Sequence, residues 1–317
     1  MFSRELELRG RAFVNYGALD QVEVKDMTID GFPAKLFFNP ARVRSVMADV
    51  SPEALQKRAC FLCPDGLESL QLTTVWDSPT GQTYFIRVNP FPIFNHHFTI
   101  SSAIHERQEL LPHLESMLHL AKELPEMTIF YNGPMCGASA PDHMHFQAVP
   151  RHSLPIEDHF SANYAHAVLV QETDLQTHLA AVKKVLAMGT IPENASQTGS
   201  LTAGASRTEE WEPRWNIISW YEPESSASVV SNLQGKARST GAADLQPTGR
   251  SYNTIVFFRR ESRPQCFFAP EEERILFSPA TVEMGGIGIV ANRESFDRIT
   301  PEVLRDMIQE VADTLCP

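Results

Sequence analysis

The sequence predicts an α+β fold, on three observations. Short apolar runs such as TYFIRV, HFTIS, MTIFYN and YNTIVFF are bounded by Pro, Gly and Asn turns and read as strands. Three longer stretches place apolar residues at helical spacing. In the first half the order is strand, strand, helix, strand, loop, strand.

Residues 1–50 read as strands and turns around KLFFNPARVRS, and CFLCPDG closes a polar, helix-like stretch. TYFIRV and HFTIS are neighbouring strands split by the Pro-rich turn NPFPIFN. In ERQELLPHLESMLHLAKEL, Leu110, Leu114, Met117, Leu118, Ala121 and Leu124 share a buried helical face, Pro112 marks the start of regular helix, and His113 and His119 read as ordinary polar positions on it. MTIFYN and HMHFQAV are the next strands, and DLQTHLAAVKKVLAM is a second helix, capped by Thr173. From about Thr190 the composition shifts to Gly, Ser, Ala and Thr, a linker. RWNIISWYE is a strand, and residues 222–251 are low in apolar content, as in a flexible insertion. YNTIVFFRR, QCFFA and GGIGIVAN continue as strands. The last helix takes Thr300 as N-cap and Pro301 as its first residue, with a stripe of Val303, Leu304, Met307, Ile308, Val311 and Leu315. The expected division is therefore 1–189 and 190–317, two halves of one loose plan, although no sequence repeat demonstrates a duplication.

The 317 residues suffice for one large domain or two of ordinary size. A net charge of −12 argues against broad binding to nucleic acid or membranes, and leaves open a phosphorylated small molecule held by a local basic cluster. No run approaches the roughly 18 apolar residues of a membrane span. The start, MFSRELELRGRAF, has no apolar signal core, so a cytoplasmic protein is expected, as monomer or homodimer. Without an export signal, the pair Cys60 and Cys63 reads as metal or redox chemistry before disulfide.

All eleven histidines lie between His96 and His178, so any imidazole chemistry belongs to the first half. The C-x₂-C spacing lets two thiolates reach one zinc, and His96, His97, His105, His143 and His145 are the candidates for the remaining ligands. The bland alternative is a pair of small core cysteines. GASAPDHMHFQAVPR poses the sharper question. On a strand, His143, His145 and Gln147 share one face while Met144, Phe146 and Ala148 take the other. The preceding NGPMCGASAP is rich in small residues whose backbone N–H groups can turn toward an anion. An imidazole beside such a loop suits attack on phosphorus, with His145 as nucleophile. Gln147 would hold a phosphate oxygen, and Ser139 would add a hydrogen bond. An amide cannot shuttle protons, so Gln147 favours transfer between phosphates over hydrolysis. The bland alternative here is a polar face on an edge strand.

These residues resemble the histidine-triad superfamily in its nucleotidyltransferase branch, which includes galactose-1-phosphate uridylyltransferase, diadenosine tetraphosphate phosphorylase and GDP-hexose phosphorylases. The signature His-x-His-x-Gln is matched by His143, Met144, His145, Phe146 and Gln147, and HFTISSAIH resembles an earlier strand of the superfamily. The resemblance is strong over about residues 58–150 and weaker at 36–44 and 252–300. It implies an antiparallel sheet with packed helices, formed by two fused halves as a pseudo-two-fold unit with a degenerate second half. It implies a structural zinc held by Cys60, Cys63, His105 and His143, and a nucleotidyl intermediate on His145. Asn132, Gly137 and Ser139 take the places of a phosphate-facing run. The spacing from Ser139 to His143 is one longer than in the uridylyltransferases, so base and sugar specificity do not carry over.

The activity implied is cleavage of a nucleoside diphosphate compound, a sugar nucleotide or a dinucleoside polyphosphate, with phosphate or a sugar phosphate as acceptor. A hydrolase and a non-catalytic zinc-stabilised nucleotide-binding protein are the alternatives. Diphosphate charge needs screening, and arginine is the natural supplier. Arg42 and Arg44, and Arg259, Arg260 and Arg263 in RRESR, are the candidates.

Overall fold

A computed structural model describes residues 11–43, 47, 51–63, 73–189, 212–224 and 249–313. Arg44, Leu315, most of the expected linker and residues 225–248 of the expected insertion lie outside the described residues.

The strands are β1 (Glu23–Ile29), β2 (Phe32–Phe38), β3 (Thr73–Asp77), β4 (Thr83–Val88), β5 (Phe98–Ser102), β6 (Met127–Asn132), β7 (His145–Pro150), β8 (Ala167–Glu172), β9 (Trp215–Glu222), β10 (Ser251–Phe258) and β11 (Ile287–Val290). Eight of them form one antiparallel sheet in the order β3-β4-β5-β7-β6-β9-β10-β8. The sheet runs unbroken past residue 190, because β9 pairs β6 with Asn132 opposite Asn216. The other three strands form a small sheet, β1-β2-β11, in which β11 runs parallel to β2. Asp30 and Gly31, both with positive φ, make the tight turn between β1 and β2.

Five helices position the site: α1 (Leu114–Glu123), α2 (Leu175–Met188), α3 (Thr281–Met284), α4 (Arg293–Arg298) and α5 (Pro301–Val311). The strand period of two divides the large sheet into two buried faces. Ile129, Tyr131, Phe146, Ile217 and Val256 pack on one side with Leu114, Met117 and Leu118 of α1 and Leu179, Val182 and Leu186 of α2. Phe130, Val149, Ile218, Ile255 and Phe257 pack on the other with Leu36, Ile287 and Ile289 of the small sheet and Leu304, Ile308 and Val311 of α5. Each such buried aliphatic or aromatic side chain stabilises by about 1.5–3 kcal/mol relative to exposure.

Three local expectations change. The cap of α2 is Asp174, whose carboxylate accepts from the Thr177 N–H; Thr173 precedes it. QCFFA forms a 3₁₀ turn at Gln265–Phe267 because the chain bends back between Pro264 and Pro270. His113, expected as an ordinary polar position, is buried, with its Nδ1 2.7 Å from the Tyr84 hydroxyl. Pro112 does open the long helix, through the 3₁₀ turn Leu111–His113. Thr300 caps α5, with Pro301 first in the helix. Among the described residues no helix is long and apolar enough to cross a membrane.

Candidate active site

The two signature histidines serve different places. Regular strand begins at His145, so His143 stands just before β7 and its ring turns to the end of β5. Its Nε2–H donates to the Ser102 carbonyl at 2.9 Å, which leaves the Nδ1 lone pair toward two thiols. Nδ1 lies 3.3 Å from Cys60 Sγ and 3.5 Å from Cys63 Sγ, and His105 Nδ1 lies 3.2 Å from Cys63 Sγ. The four ligand atoms are all within 4.8 Å of one another. A tetrahedral zinc with ordinary Zn–S and Zn–N bonds separates S from N by about 3.5 Å, so this donor set fits the ion in number, kind and spacing. Burial alone would push the Cys60 thiol up. The His143 imidazole and the backbone of Leu62 and Cys63 outweigh it and bring the thiol down to about 6, toward the thiolate a metal requires. His96 is exposed and outside this cluster, and His97 and His145 belong to another site.

The buried Arg87 ties the cysteine loop to the sheet: its Nη1 donates to the Leu62 carbonyl at 2.9 Å and to Ser101 Oγ at 3.0 Å. Arg58 pairs with Asp142 at 2.5 Å, joining the same loop to the residue before His143.

His145 is 4% exposed and lies on the face of the large sheet that meets the small sheet, together with Gln147 and Phe130. Its Nδ1 is 2.8 Å from the His143 carbonyl oxygen. A carbonyl only accepts, so Nδ1 carries the proton and Nε2 carries the lone pair. Nε2 has no partner among the described residues. Burial pushes this imidazole down to about 4, which keeps the ring neutral at pH 7. The cluster around His143 therefore positions the carbonyl that sets the tautomer of His145.

Gln108 holds the backbone here. Pairing of β6 with β7 stops at Phe130 opposite Gln147, and the Gln108 amide fills the next rung. Its Nε2 donates to the carbonyls of Asn132 and His145 at 2.9 and 3.0 Å, and its Oε1 accepts from the His145 N–H at 2.8 Å. The amide is wholly buried and spreads the two strand ends apart at the site.

A cleft opens between the large sheet and the turn that carries α3. Arg42, Asn89, Phe91, Phe130, Asn132, Gly137, Ser139, Gln147, Ser278, Ala280 and Glu283 are among its lining residues; His145 is not one of them and stands behind the lining, two residues along β7 from Gln147 on the same face. Donor logic orients both amides. Ile93 N–H donates to His97 Nδ1, so His97, neutral because burial lowers it to about 3, must donate from Nε2 to Gln147 Oε1 at 2.8 Å. The Gln147 NH₂ is left for the cleft. Likewise, Arg259 donates to Asn216 Oδ1 at 2.8 Å, so Asn216 donates from Nδ2 to Asn132 Oδ1 at 3.2 Å. The Thr281 N–H gives the same oxygen a second bond at 2.9 Å, and the Asn132 NH₂ is left for the cleft. Two amides with their oxygens pinned thus present donors to the cleft, a setting for anionic oxygens.

Gly137 and Ser139 line the cleft and are exposed. Gly137 has φ +95°, and a Cβ there would sit 2.4 Å from the Ala280 Cβ, so only glycine lets the loop and the α3 turn meet. Arg42 lines the cleft and donates to the Phe91 carbonyl at 2.5 Å. The other arginines divide. Arg259 is buried and spent on Asn216, Pro279, Glu261 and Ser262, away from the cleft lining. Arg260 is exposed and donates to the Glu310 carbonyl. Arg263 donates to Ser278 Oγ at 3.0 Å, at the margin of the cleft.

Sequence reasoning missed Gln108, Asn216, Thr281 and Glu283. Asn216 carried a visible signal, a lone amide inside the apolar run WNIISW. The others carried none, since a loop Gln and a short helix start are common.

Over residues 1–150 the chain is similar to a family described as Domain of unknown function (DUF4922). A search of curated protein sequences finds no match to it. Among solved structures it is similar to yeast Ap4A phosphorylase Apa2, with a TM-score of 0.54, 13% identity and 98% of each chain covered. It is also similar to that protein in complex with Ap4A (TM-score 0.52, 13% identity, 98% of each chain) and in complex with AMP (TM-score 0.51, 12% identity, 96% of this chain and 95% of the other). At such identities the likeness concerns the fold: the chain has an α+β architecture with a large antiparallel sheet like that of yeast Ap4A phosphorylase.

Proposed function

We propose that this protein is a nucleotidyltransferase of phosphorylase type, acting on a sugar nucleotide or a dinucleoside polyphosphate. One observation carries the reading. A neutral His145, with Nδ1–H held by the His143 carbonyl and a lone pair on Nε2, shares a strand face with Gln147, whose NH₂, like that of Asn132, opens into a cleft. Binding of AMP and Ap4A by the similar yeast phosphorylase supports nucleotides as the ligand class.

In the first step His145 Nε2 attacks the α-phosphorus. The P–N bond forms as the bond to the bridging oxygen breaks, and that oxygen leaves as a phosphate ester or polyphosphate. Such a leaving group is stable as an anion and needs no proton. In the second step an oxygen of inorganic phosphate or of a sugar phosphate attacks the same phosphorus, and the P–N bond breaks to restore His145. Nδ1–H stays on the His143 carbonyl throughout and stabilises the positive charge on the ring. Asn132, Gln147 and Ser139 donate to the non-bridging oxygens, Arg42 supplies positive charge, and Arg263 extends it at the margin. Arg259 and Arg260 act at a distance, Arg259 by orienting Asn216. Zinc held by Cys60, Cys63, His105 and His143 would be structural, fixing the loop whose carbonyl orients His145. Residues 1–189 carry the reacting groups in this reading, and residues 190–317 act as a degenerate second half that orients them. The protein works in the cytoplasm, as a monomer or homodimer.

The test is a covalent adduct. Incubation with GDP-hexose or diadenosine tetraphosphate should add one acid-labile nucleotidyl mass to the peptide containing His145, and added phosphate should discharge it. The His145→Ala protein should form no adduct and lose turnover by at least about 10³-fold. Undiminished turnover in that variant sinks the mechanism, and product formation independent of phosphate favours a hydrolase.

A further inference from the structure

We propose that Glu283 is the acceptor with which this cleft reads the hydroxyl groups of a sugar ring on its substrate. The proposal rests on the transfer reading above and names what the cleft must hold besides phosphate. Glu283 stands in α3, is 6% exposed and lines the cleft with Asn132, Gln147 and Arg42. Its Oε2 accepts the Ala280 N–H at 2.8 Å, which closes the start of the helix. Its Oε1 has no partner among the described residues.

Capping uses one oxygen and works equally well with a neutral amide. A buried carboxylate costs desolvation and repels phosphate, so its place in a cleft lined by amide donors calls for a ligand group that donates. The nearby walls, Ile93, Phe130, Val282 and Ile289, are apolar and suit the faces of rings. A ring hydroxyl meets both conditions: it is uncharged, and it donates to an anionic oxygen. The ring is either the ribose of the transferred nucleotide or a sugar on the leaving group. Burial raises the Glu283 carboxyl above the usual carboxylate range, and the Ala280 N–H and the charge of Arg42 oppose the rise, so a simple counter-charge is the competing explanation.

Binding to the full-length protein separates these cases. The Glu283→Gln variant keeps the capping acceptor and should keep its melting temperature. Calorimetry would use pyrophosphate, guanosine and adenosine 5′-diphosphates, their 2′,3′-dideoxy forms and a GDP-hexose. The variant should bind pyrophosphate as well as or better than wild type and bind hydroxyl-bearing ligands about ten-fold more weakly. A loss seen with the ribonucleotides and absent with the dideoxy forms assigns the ribose. A loss confined to the sugar nucleotide assigns the leaving sugar. Equal tightening or weakening of every ligand makes Glu283 a counter-charge, and no change makes it only a cap; either result overturns the proposal. If the variant fails to fold, the wild type decides: equal affinity for ribo and dideoxy forms, and for GDP and GDP-hexose, refutes it. A protein that forms the His145 adduct yet ignores the hydroxyls refutes this inference alone. Hydroxyl-dependent binding without an adduct refutes the transfer reading alone.

Discussion

The first half of the chain supplies every imidazole and the second half supplies none, yet the second half decides where one of the site's donors, the Asn132 amide, points. Cys60, Cys63, His105 and His143 come together from one side of residue 190. Asn132, by contrast, takes its direction from Asn216, Arg259 and Thr281, all from the other side. A metal-type cluster is a local device that fixes a loop. An amide's direction is settled by what reaches its oxygen, and here that comes from a strand and a helix start far along the chain. The difference teaches that a half without imidazoles can still orient the donors of a cleft, through hydrogen bonds that leave no motif.

The largest effect should come from breaking the first-half cluster. Cys63→Ser, or prolonged chelation of the wild type, should remove bound zinc and lower stability by several kcal/mol, on the order of 5, with the His145 adduct lost as well. Elemental analysis and thermal unfolding check this. A wild type that holds no zinc as purified, or that keeps its melting temperature after the metal is stripped, contradicts the assignment.

The next effect tests the seam between the halves. Glu212 accepts from the Leu110 N–H at 2.8 Å and from the Tyr131 hydroxyl. Burial pushes its carboxyl up to about 7, against the opposing pull of those two bonds and with Glu109 adding to the rise. An unfolded glutamate titrates near about 4.3. The folded state holds the extra proton between these values, so this contribution is fully present below about pH 4 and is lost as pH rises through about 7, to a total of about 4 kcal/mol at most. Denaturant unfolding from pH 5 to 8 should show that decline in the wild type and a flatter profile in Glu212→Gln. Identical slopes would place the titrating group elsewhere.

The smallest effect should be the most specific. Asn216→Asp keeps the acceptor for Arg259 but turns an anionic oxygen against Asn132 Oδ1, which should rotate the Asn132 amide and point its oxygen at the phosphate. Adduct formation should slow about ten-fold, or roughly 1.4 kcal/mol in the barrier, while the melting temperature changes little. Single-turnover kinetics measure it, and an unchanged rate would show that the second half does not orient the donor.

Much of the fold was legible because periodicity reports burial directly. The runs around Ile100, Ile129, Phe146 and Ile217 are strands for the reason read from them, and Leu114, Met117 and Leu118 do face the core. The short elements were less legible. The Gln265–Phe267 turn and the Asp174 cap depend on competing local bonds that composition does not rank. At the site, the C-x₂-C pair and the two signature histidines announced themselves by spacing. Arg259 shows the limit of such reading: its charge suggested phosphate, but its burial and its bonds to Asn216 and three carbonyls make it a strut.

By itself the sequence determined which groups could react or ligate, and which faces of the strands would be buried, because both follow from residue type and short-range spacing. Only the tertiary structure decided the direction of the Asn132 and Gln147 amides and the presence of Glu283 beside them. Those depend on donors and acceptors up to about 150 residues away along the chain, as Thr281 is from Asn132, brought within 3 Å by folding. Hydrogen-bond direction is a property of the assembled neighbours, and no single segment contains it.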